Sequence, residues 1–418
     1  MESPVGEDIP AASAFEEALR NWLLEADRLE EPPEQLLHGL VDQFAQQGIH
    51  LLTSSALVRT LHPQFEMLAQ RWRPFVVEEI KTEGTERLIG HRKVPGKRGV
   101  VDVYLFAHGH SQEALYQTSP FKAVHDAGHP LRWRLGMEEA DLRFEVMDEL
   151  KARGATDYLV LPIAMQAPFA AGVSFATAHA DGFPAGFQQD LERLVPLFGL
   201  VMSFSLERIS LREILMAYLG PTAAKRVLRG QIVLGQVQSL RAVIGFADLY
   251  GLRRHVDDVP EEDQMKALSL FFGVAQSTVR AAGGEILKMM GDSLLFVVPL
   301  EEGVPERIRE RALDVAQDVI RRSRRNKLLQ KYGLTVSLGL HEGEVLLGNV
   351  GAPSRLDFTV LGEAVNLAAR LQNWGGIHGE PIVLSAELAG KLNRNFRQLG
   401  TLELKGILEP QEALAPHE

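Results

Sequence analysis

Four polar residues in the C-terminal half of the chain are of types that could do chemistry together if the fold brings them to one place. Asp248 closes the apolar run "LRAVIGFAD", and Asp292 sits at the turn of "EILKMM-GD-SLLFVV". If these runs are neighbouring strands, the two carboxylates converge at one edge of a sheet. Paired carboxylates can hold Mg²⁺, an ion that prefers oxygen ligands and keeps phosphates and water in its shell. Two such ions about 3.5–4 Å apart clamp the attacking and leaving oxygens of an in-line displacement. Taken singly, Asp292 reads as a turn former and Asp248 as a helix cap. Asn366 and Arg370 stand four residues apart in "TVLGEAVNLAAR", residues 359–370. On a helix they share a face with Glu363 and Asn373. Periodicity alone leaves open whether that face is a solvated stripe or reaches for a substrate.

The surrounding pattern predicts elements able to position these groups. "EEDQMKALSLFFGVAQSTVRAAGG" reads as an amphipathic helix, with Met265, Leu268, Phe272, Ala275 and Val279 inward and Gly283-Gly284 as its stop. The segment around Gly291-Asp292 reads as a hairpin. A second long helix is expected over about 304–331. "LTVSLGLH" alternates, with Leu334, Val336, Leu338 and Leu340 on one face. In "RLDFTVLG", Leu356, Phe358 and Val360 take one face, and Asp357 and Thr359 the other. Strand, helix, hairpin, helix, strand, strand, helix makes an α/β sandwich with helices over a largely antiparallel sheet.

Order and spacing then become informative. "FADLYGL", "GGEILKMMGDSLLF", "HEGEVLLGNVGAPSRLDFTVLGEAVNLAARL" and "LELKGI" follow one another over about residues 238–412. In this arrangement the chain resembles the class III nucleotidyl cyclases. The resemblance implies that Asp248 and Asp292 bind two Mg²⁺ or Mn²⁺ ions. It implies that Lys288 and Asp357 read the adenine edge, and that Asn366 and Arg370 steady the ribose and the transition state. Lys405 in "LELKGI" matches a position where the family often places a triphosphate-binding lysine. Members are dimers with the active site at the subunit interface, so the metal residues of one chain would face the other four residues of its partner. Guanylyl cyclases of the family typically carry Glu and Cys at the base-reading positions, so Lys288 and Asp357 point to ATP. Two departures stand out: Gly251 is followed by Leu252 and Arg253 rather than by an aromatic and a hydroxyl residue, and Glu363 replaces a more usual Asp.

The chain is 418 residues long, so about two or three domains are expected. A net charge of −11 with no basic block argues against nucleic acid as a partner. The absence of cysteine removes disulfides, thiolate metal sites and cysteine-linked chromophores, and suits a reducing cytosol. The uncharged stretch 159–178 is long enough to span a bilayer. Pro162, Gln166 and Pro168 interrupt it, so two strands joined by a turn fit better than a membrane helix. The acidic N-terminus lacks a signal pattern.

The expected organisation is N-terminal helices over 1–48, a GAF-like or PAS-like α+β sensor over 49–185, a connecting helix and cyclase transducer over 186–237, and a catalytic domain over 238–418. "VVDVYLF" and "DYLVLPIAM" read as sensor strands, and "RFEVMDELKARG" as a helix closed by Gly154. Pro196 demands a kink or break in the long helical stretch after residue 186. His108, His110, His125 and His129 read as loop histidines, with haem or metal ligation the alternative. The sensor's ligand is not legible. "LREILMAYLGPTAAKRVLRGQI" resembles the segment that family members place just before the catalytic domain. The functional expectation is a cytoplasmic, homodimeric adenylate cyclase regulated by its N-terminal module. A guanylate cyclase and a catalytically silent, ligand-binding dimer scaffold are the alternatives.

Overall fold

The structure is a computed structural model that describes residues 13–75, 88–135, 137, 143–163, 171–252, 259–301 and 303–417. The chain divides into two compact units, Met1–Ile214 and Leu215–Glu418.

The first unit opens with helices α1 (Ala14–Leu23) and α2 (Pro33–Gln46). Pro33 starts α2 at a position where its missing N–H costs nothing. Strands β1 (Thr53–Arg59), β2 (Met67–Pro74), β3 (Leu88–Pro95) and β4 (Gly99–Phe106) follow. Short helices α3 (Ala114–Gln117) and α4 (Pro120–Ala127), strand β5 (Leu131–Trp133) and helix α5 (Glu145–Ala152) precede β6 (Asp157–Ile163) and β7 (Ala171–Thr177). The seven strands form one sheet in the order β3-β4-β2-β1-β7-β6-β5. The uncharged stretch is thus two strands, β6 and β7, while Gln166 and Pro168 lie outside the described residues. Pro162 sits beyond the last residue of β6 paired with β5, where a missing donor is tolerated.

One face of this sheet packs on α1, α2 and helix α6 (Phe187–Leu219) through Phe44, Trp72, Val103, Phe175 and Phe198. Of the kink or break expected at Pro196, the break is absent: the helix continues through it, leaving the Glu192 carbonyl without its intrahelical donor. Among the described residues α6 is the one helix long and apolar enough to cross a membrane. Its buried side belongs to the unit's core, and Arg193, Ser205 and Arg208 tie it to Glu16, Glu31 and Leu29.

The second unit begins with α7 (Pro221–Leu228) and the long strand β8 (Val237–Tyr250). Helix α8 (Glu261–Ala281), the hairpin β9 (Glu285–Met290) and β10 (Ser293–Pro299), and helix α9 (Pro305–Arg324) come next. Instead of one helix to 331, Asn326 caps a separate α10 (Lys327–Lys331) by accepting from the Leu328 and Leu329 amides. Strands β11 (Thr335–Ala352) and β12 (Arg355–Leu361) form a hairpin leading into α11 (Glu363–His378). Strand β13 (Ile382–Ser385), α12 (Ala386–Ala389), β14 (Phe396–Leu402) and β15 (Gln411–Pro416) complete the unit.

The sheet runs β14-β15-β13-β11-β8-β10-β9, with β12 hanging from β11. Its pairs are antiparallel except β11 with β13. Val243, Ala247 and Leu249 of β8 face α8 and α9, whereas Ala242 and Ile244 face α11. In α8 the expected Ala275 and Val279 are buried and Leu268 and Phe272 pack half-buried on the core, but the buried line also takes in Ala267, Phe271 and Thr278, and Met265 is exposed. The reason is that Phe271 fills the middle of the core, which places Met265 on the opposite flank.

Glu342 of β11 is fully buried and pins α9 to the sheet. It accepts from Arg309 Nε at 2.5 Å, Arg241 Nε at 3.1 Å and Lys391 Nζ at 3.2 Å. Burial pushes its carboxyl up, but the hydrogen bonds and charges of Arg309 and Lys391 carry it below the ordinary value. With the native value below that of the unfolded chain, this stabilisation is present above the unfolded pKa. It is lost as pH falls through the lowered native one. Glu342→Gln should lower the stability of the second unit by roughly 2–4 kcal/mol at neutral pH. In calorimetry, the gap to the unsubstituted protein should close on acidification.

Candidate active site

The β8 register sets the site. Asp248 lies opposite Ser293 of β10 on one side and Ser337 of β11 on the other. It is not the last strand residue, as expected, because β11 continues pairing to Tyr250. Ser293 Oγ donates to Asp248 Oδ1 at 2.5 Å. Asp292 occupies the tight turn before β10, where Gly291 adopts a φ of 67°. The Leu249 amide donates to the Asp292 carbonyl at 2.9 Å, so the β8 ladder continues one step into that turn. The two aspartates therefore occupy the same end of the β8–β10 pair, Asp248 half-buried and Asp292 buried. Among the described residues no group of three or more His, Asp or Glu side chains is placed to hold a metal. This oxygen pair has the donor chemistry that suits Mg²⁺ or Mn²⁺. Beyond it, Gly251 turns the chain and Leu252 drops into the core; Arg253 lies outside the described residues.

Lys288 of β9 faces Leu295 across the hairpin. Its Nζ lies 2.6 Å from Asp357 Oδ2 on β12, joining two strands that are distant in sequence. Asp357 is 58% exposed, so the pair is open to solvent. An ion pair this exposed contributes only about 0–1 kcal/mol, too little to explain it as a structural brace. Leu356 is exposed although its alternation partners Phe358 and Val360 are packed, because the hairpin tip runs past the α11-side core.

Helix α11 presses Ala364 and Ala368 onto the sheet. The approach is so close that a Cβ on Gly339 would stand 2.3 Å from the Ala368 carbonyl oxygen, and one on Gly343 2.5 Å from the Ala364 Cβ. Asn366 and Arg370 consequently project from the opposite, exposed side. Neither makes a side-chain hydrogen bond or ion pair with any described residue. Lys405 is exposed in the turn after β14, and the structure brings it to none of the other candidates.

Residues 237–414 match the family described as the adenylate and guanylate cyclase catalytic domain. This segment belongs to the class III nucleotidyl cyclases. An uncharacterised protein of Mycobacterium tuberculosis is 29% identical over 215 residues, which are 50% of this chain and 38% of that protein. Adenylate cyclase 1 of Rhizobium meliloti is 29% identical over 169 residues, 38% of this chain and 25% of that protein. The adenylyl cyclase CyaB from P. aeruginosa superposes with a TM-score of 0.40 at 21% identity, covering 44% of this chain and 96% of that one. The chain thus spans well under half the length of the curated relatives it matches.

In the second unit, α7 grips the strands that carry Lys288 and Asp357. The Thr222 amide donates to Glu285 Oε1 at 2.9 Å, and its hydroxyl bonds the other oxygen of Glu285, three residues before Lys288. The Arg226 guanidinium lies 5.5 Å from the ring centroid of Phe358, next to Asp357. Asn349 Nδ2 donates to the Gln231 and Val233 carbonyls at 3.2 and 3.3 Å, tying the following loop to β11. Sequence reasoning passes over Ser293 and Glu285. The signal for Ser293 was its position directly after Asp292; Glu285 carries none, since its partner lies 63 residues away.

The histidines of the first unit do not converge. His108 Nε2 contacts the His62 carbonyl at 3.0 Å, His110 Nδ1 contacts Glu113 at 2.7 Å, and His125 and His129 are exposed. Removing the α7 anchor gives a direct check of the grip. Glu285→Ala should raise amide hydrogen exchange across residues 221–228 by about tenfold, as one or two hydrogen bonds are lost. Exchange in α11 should stay unchanged.

Proposed function

We propose that the chain is an adenylate cyclase converting ATP to 3′,5′-cyclic AMP and pyrophosphate at composite sites of a homodimer. The choice of ATP rests on the Lys288–Asp357 pair, joined at 2.6 Å and open to solvent. Adenine offers a ring-nitrogen acceptor beside an amino donor, and this pair offers an ammonium donor beside a carboxylate acceptor. Guanine presents the reverse order.

Asp248 and Asp292 would hold the two Mg²⁺ or Mn²⁺ ions. When bound, the ions supply charge neutralisation on the triphosphate and acidify the ribose 3′-hydroxyl. The protein's own groups do the positioning. Arg370 presents a fork of donors to the phosphoryl oxygens, where charge develops. Asn366, one helical turn earlier, fixes the ribose so that its 3′-hydroxyl lies in line with the α-phosphorus. Lys405 is assigned to the triphosphate.

Asn366 and Arg370 point away from the sheet that carries their own chain's aspartates, and this favours sites shared between two chains. Exposed Met289, Met290, Leu346, Leu356 and Leu361 around the β9–β12 region offer an apolar surface for the second copy. The first unit is assigned as a GAF-like sensor, with α6 and α7 as the transducer. The protein is placed in the cytoplasm, without membrane or nucleic-acid partners. A silent scaffold would have no use for the outward-facing Lys288, Asp357, Asn366 and Arg370.

Purified protein with Mn²⁺ should form cyclic AMP from ATP and little cyclic GMP from GTP; the reverse preference would overturn the base assignment. Asp248→Ala and Arg370→Ala should each reduce turnover by about a thousandfold or more while the dimer persists in sedimentation. Mixing the two variants should restore part of the activity, because one of the two sites then has a full set of residues. Lys288→Glu with Asp357→Cys should shift preference toward GTP, measured as the ratio of kcat/KM for the two nucleotides.

A further inference from the structure

The sheet of the first unit has a second face, away from α1, α2 and α6, and it is not evenly filled. One cluster under α4 and α5 centres on Met147, Tyr158 and Val160. Another, at the β2–β4 side, centres on Met67, Tyr104 and Phe106. Between them lies a cavity of about 200 Å³, roofed by Tyr116, Phe121 and Val146. Its walls are mostly aromatic and aliphatic, and its polar groups are few.

Several of those polar groups already have partners. Ser119 Oγ caps α4 by accepting from the Lys122 amide, His110 is bonded to Glu113, and the Tyr158 hydroxyl is bonded to Ser174. Arg71 is the charged group among the rest. Its Nη1 is completely buried and has no hydrogen-bond partner. The residue that should neutralise it is Asp102, directly opposite on β4. Asp102 instead accepts on Oδ2 from Arg73 Nε at 2.9 Å and pairs its Oδ1 with His91 Nε2 at 3.4 Å. On the other side, Arg71 stands directly opposite Ser55 of β1, which also lines the cavity. A guanidinium fork and a hydroxyl thus face one small apolar chamber from adjacent strands.

Leaving a charged donor buried without a partner costs several kcal/mol unless an anion meets it. Arg forms parallel hydrogen bonds with the two oxygens of a carboxylate, and a neighbouring hydroxyl can donate a third. The chamber accommodates about ten non-hydrogen atoms at protein packing density. We propose that this cavity binds a small aromatic monocarboxylate, its carboxylate on Arg71 and Ser55 and its ring among Tyr104, Phe106, Phe121 and Tyr158. This deepens the sensor reading given above by naming the class of signal molecule. No bond is made or broken in the event; it is recognition alone.

The test uses the full chain and calorimetric titration with benzoate, phenylacetate and 4-hydroxybenzoate, each paired with its neutral amide. At least one carboxylate should bind, and its amide should bind at least tenfold more weakly. Arg71→Gln should weaken the same carboxylate at least tenfold and Ser55→Ala severalfold, both variants keeping the unfolding transition of the unsubstituted protein. If Arg71→Gln does not fold, the Ser55→Ala and amide comparisons decide. Equal binding of acids and amides, undiminished binding by the variants, or no heat from any of the three acids would overturn the assignment. Binding is read without nucleotide, so its failure is distinct from failure of the cyclase reading, which the product assay tests alone. If the acid binds and also changes cyclic AMP output, the sensor role gains its ligand; if it binds without changing output, the site stands and the regulatory reading falls.

Discussion

Strand β8 has to serve two cores at once. Its odd-numbered residues Val243, Ala247 and Leu249 pack under α8 and α9, while Ala242 and Ile244 pack under α11. A strand buried on both faces has no room for a charge until it nears the rim. Asp248 is where that rim begins. The same pairing that makes the strand central, with β10 on one side and β11 on the other, aligns Ser293 and Asp292 with it. The metal-binding chemistry assigned to this corner depends on the ladder more than on any single contact.

The second unit uses its charges in two distinct ways. Glu342 is fully buried and surrounded by Arg309, Arg241 and Lys391, an arrangement that locks α9 to β11. Lys288, Asp357, Asn366 and Arg370 lie on the surface, where pairing adds little to stability. Groups of the second kind remain available to a ligand because the fold does not require them. The glycines of β11 make this possible, since Gly339 and Gly343 let α11 seat on the sheet and turn its polar side outward.

The same division of labour marks the first unit. One sheet face is filled by a single large core, and the other is split into two smaller clusters with a chamber between them. Downstream, α7 binds Glu285 and stacks Arg226 on Phe358, so displacement of this helix would be felt at Lys288 and Asp357 first. Within the second unit, α7 is thus tied to the strands of the pair proposed above to read the base.

Much of the cyclase domain was legible from order and period. Clean alternation in β11, the Gly291-Asp292 turn and the four-residue step from Asn366 to Arg370 are local properties, and local sterics and patterning determine them. The likeness of residues 238–412 to the class III cyclases was legible too, because separated motifs recur in one order. Tertiary structure decided what depends on distant partners. The buried face of α8 is set by where Phe271 meets the sheet, the persistence of α6 through Pro196 by its packing on the first core, and the Lys288–Asp357 contact by two hairpins meeting 69 residues apart. Arg71 is the clearest case. Nothing in "LAQRWRP" distinguishes it from Arg73, and only the geometry of Asp102 determines which arginine is neutralised and which is left facing the chamber.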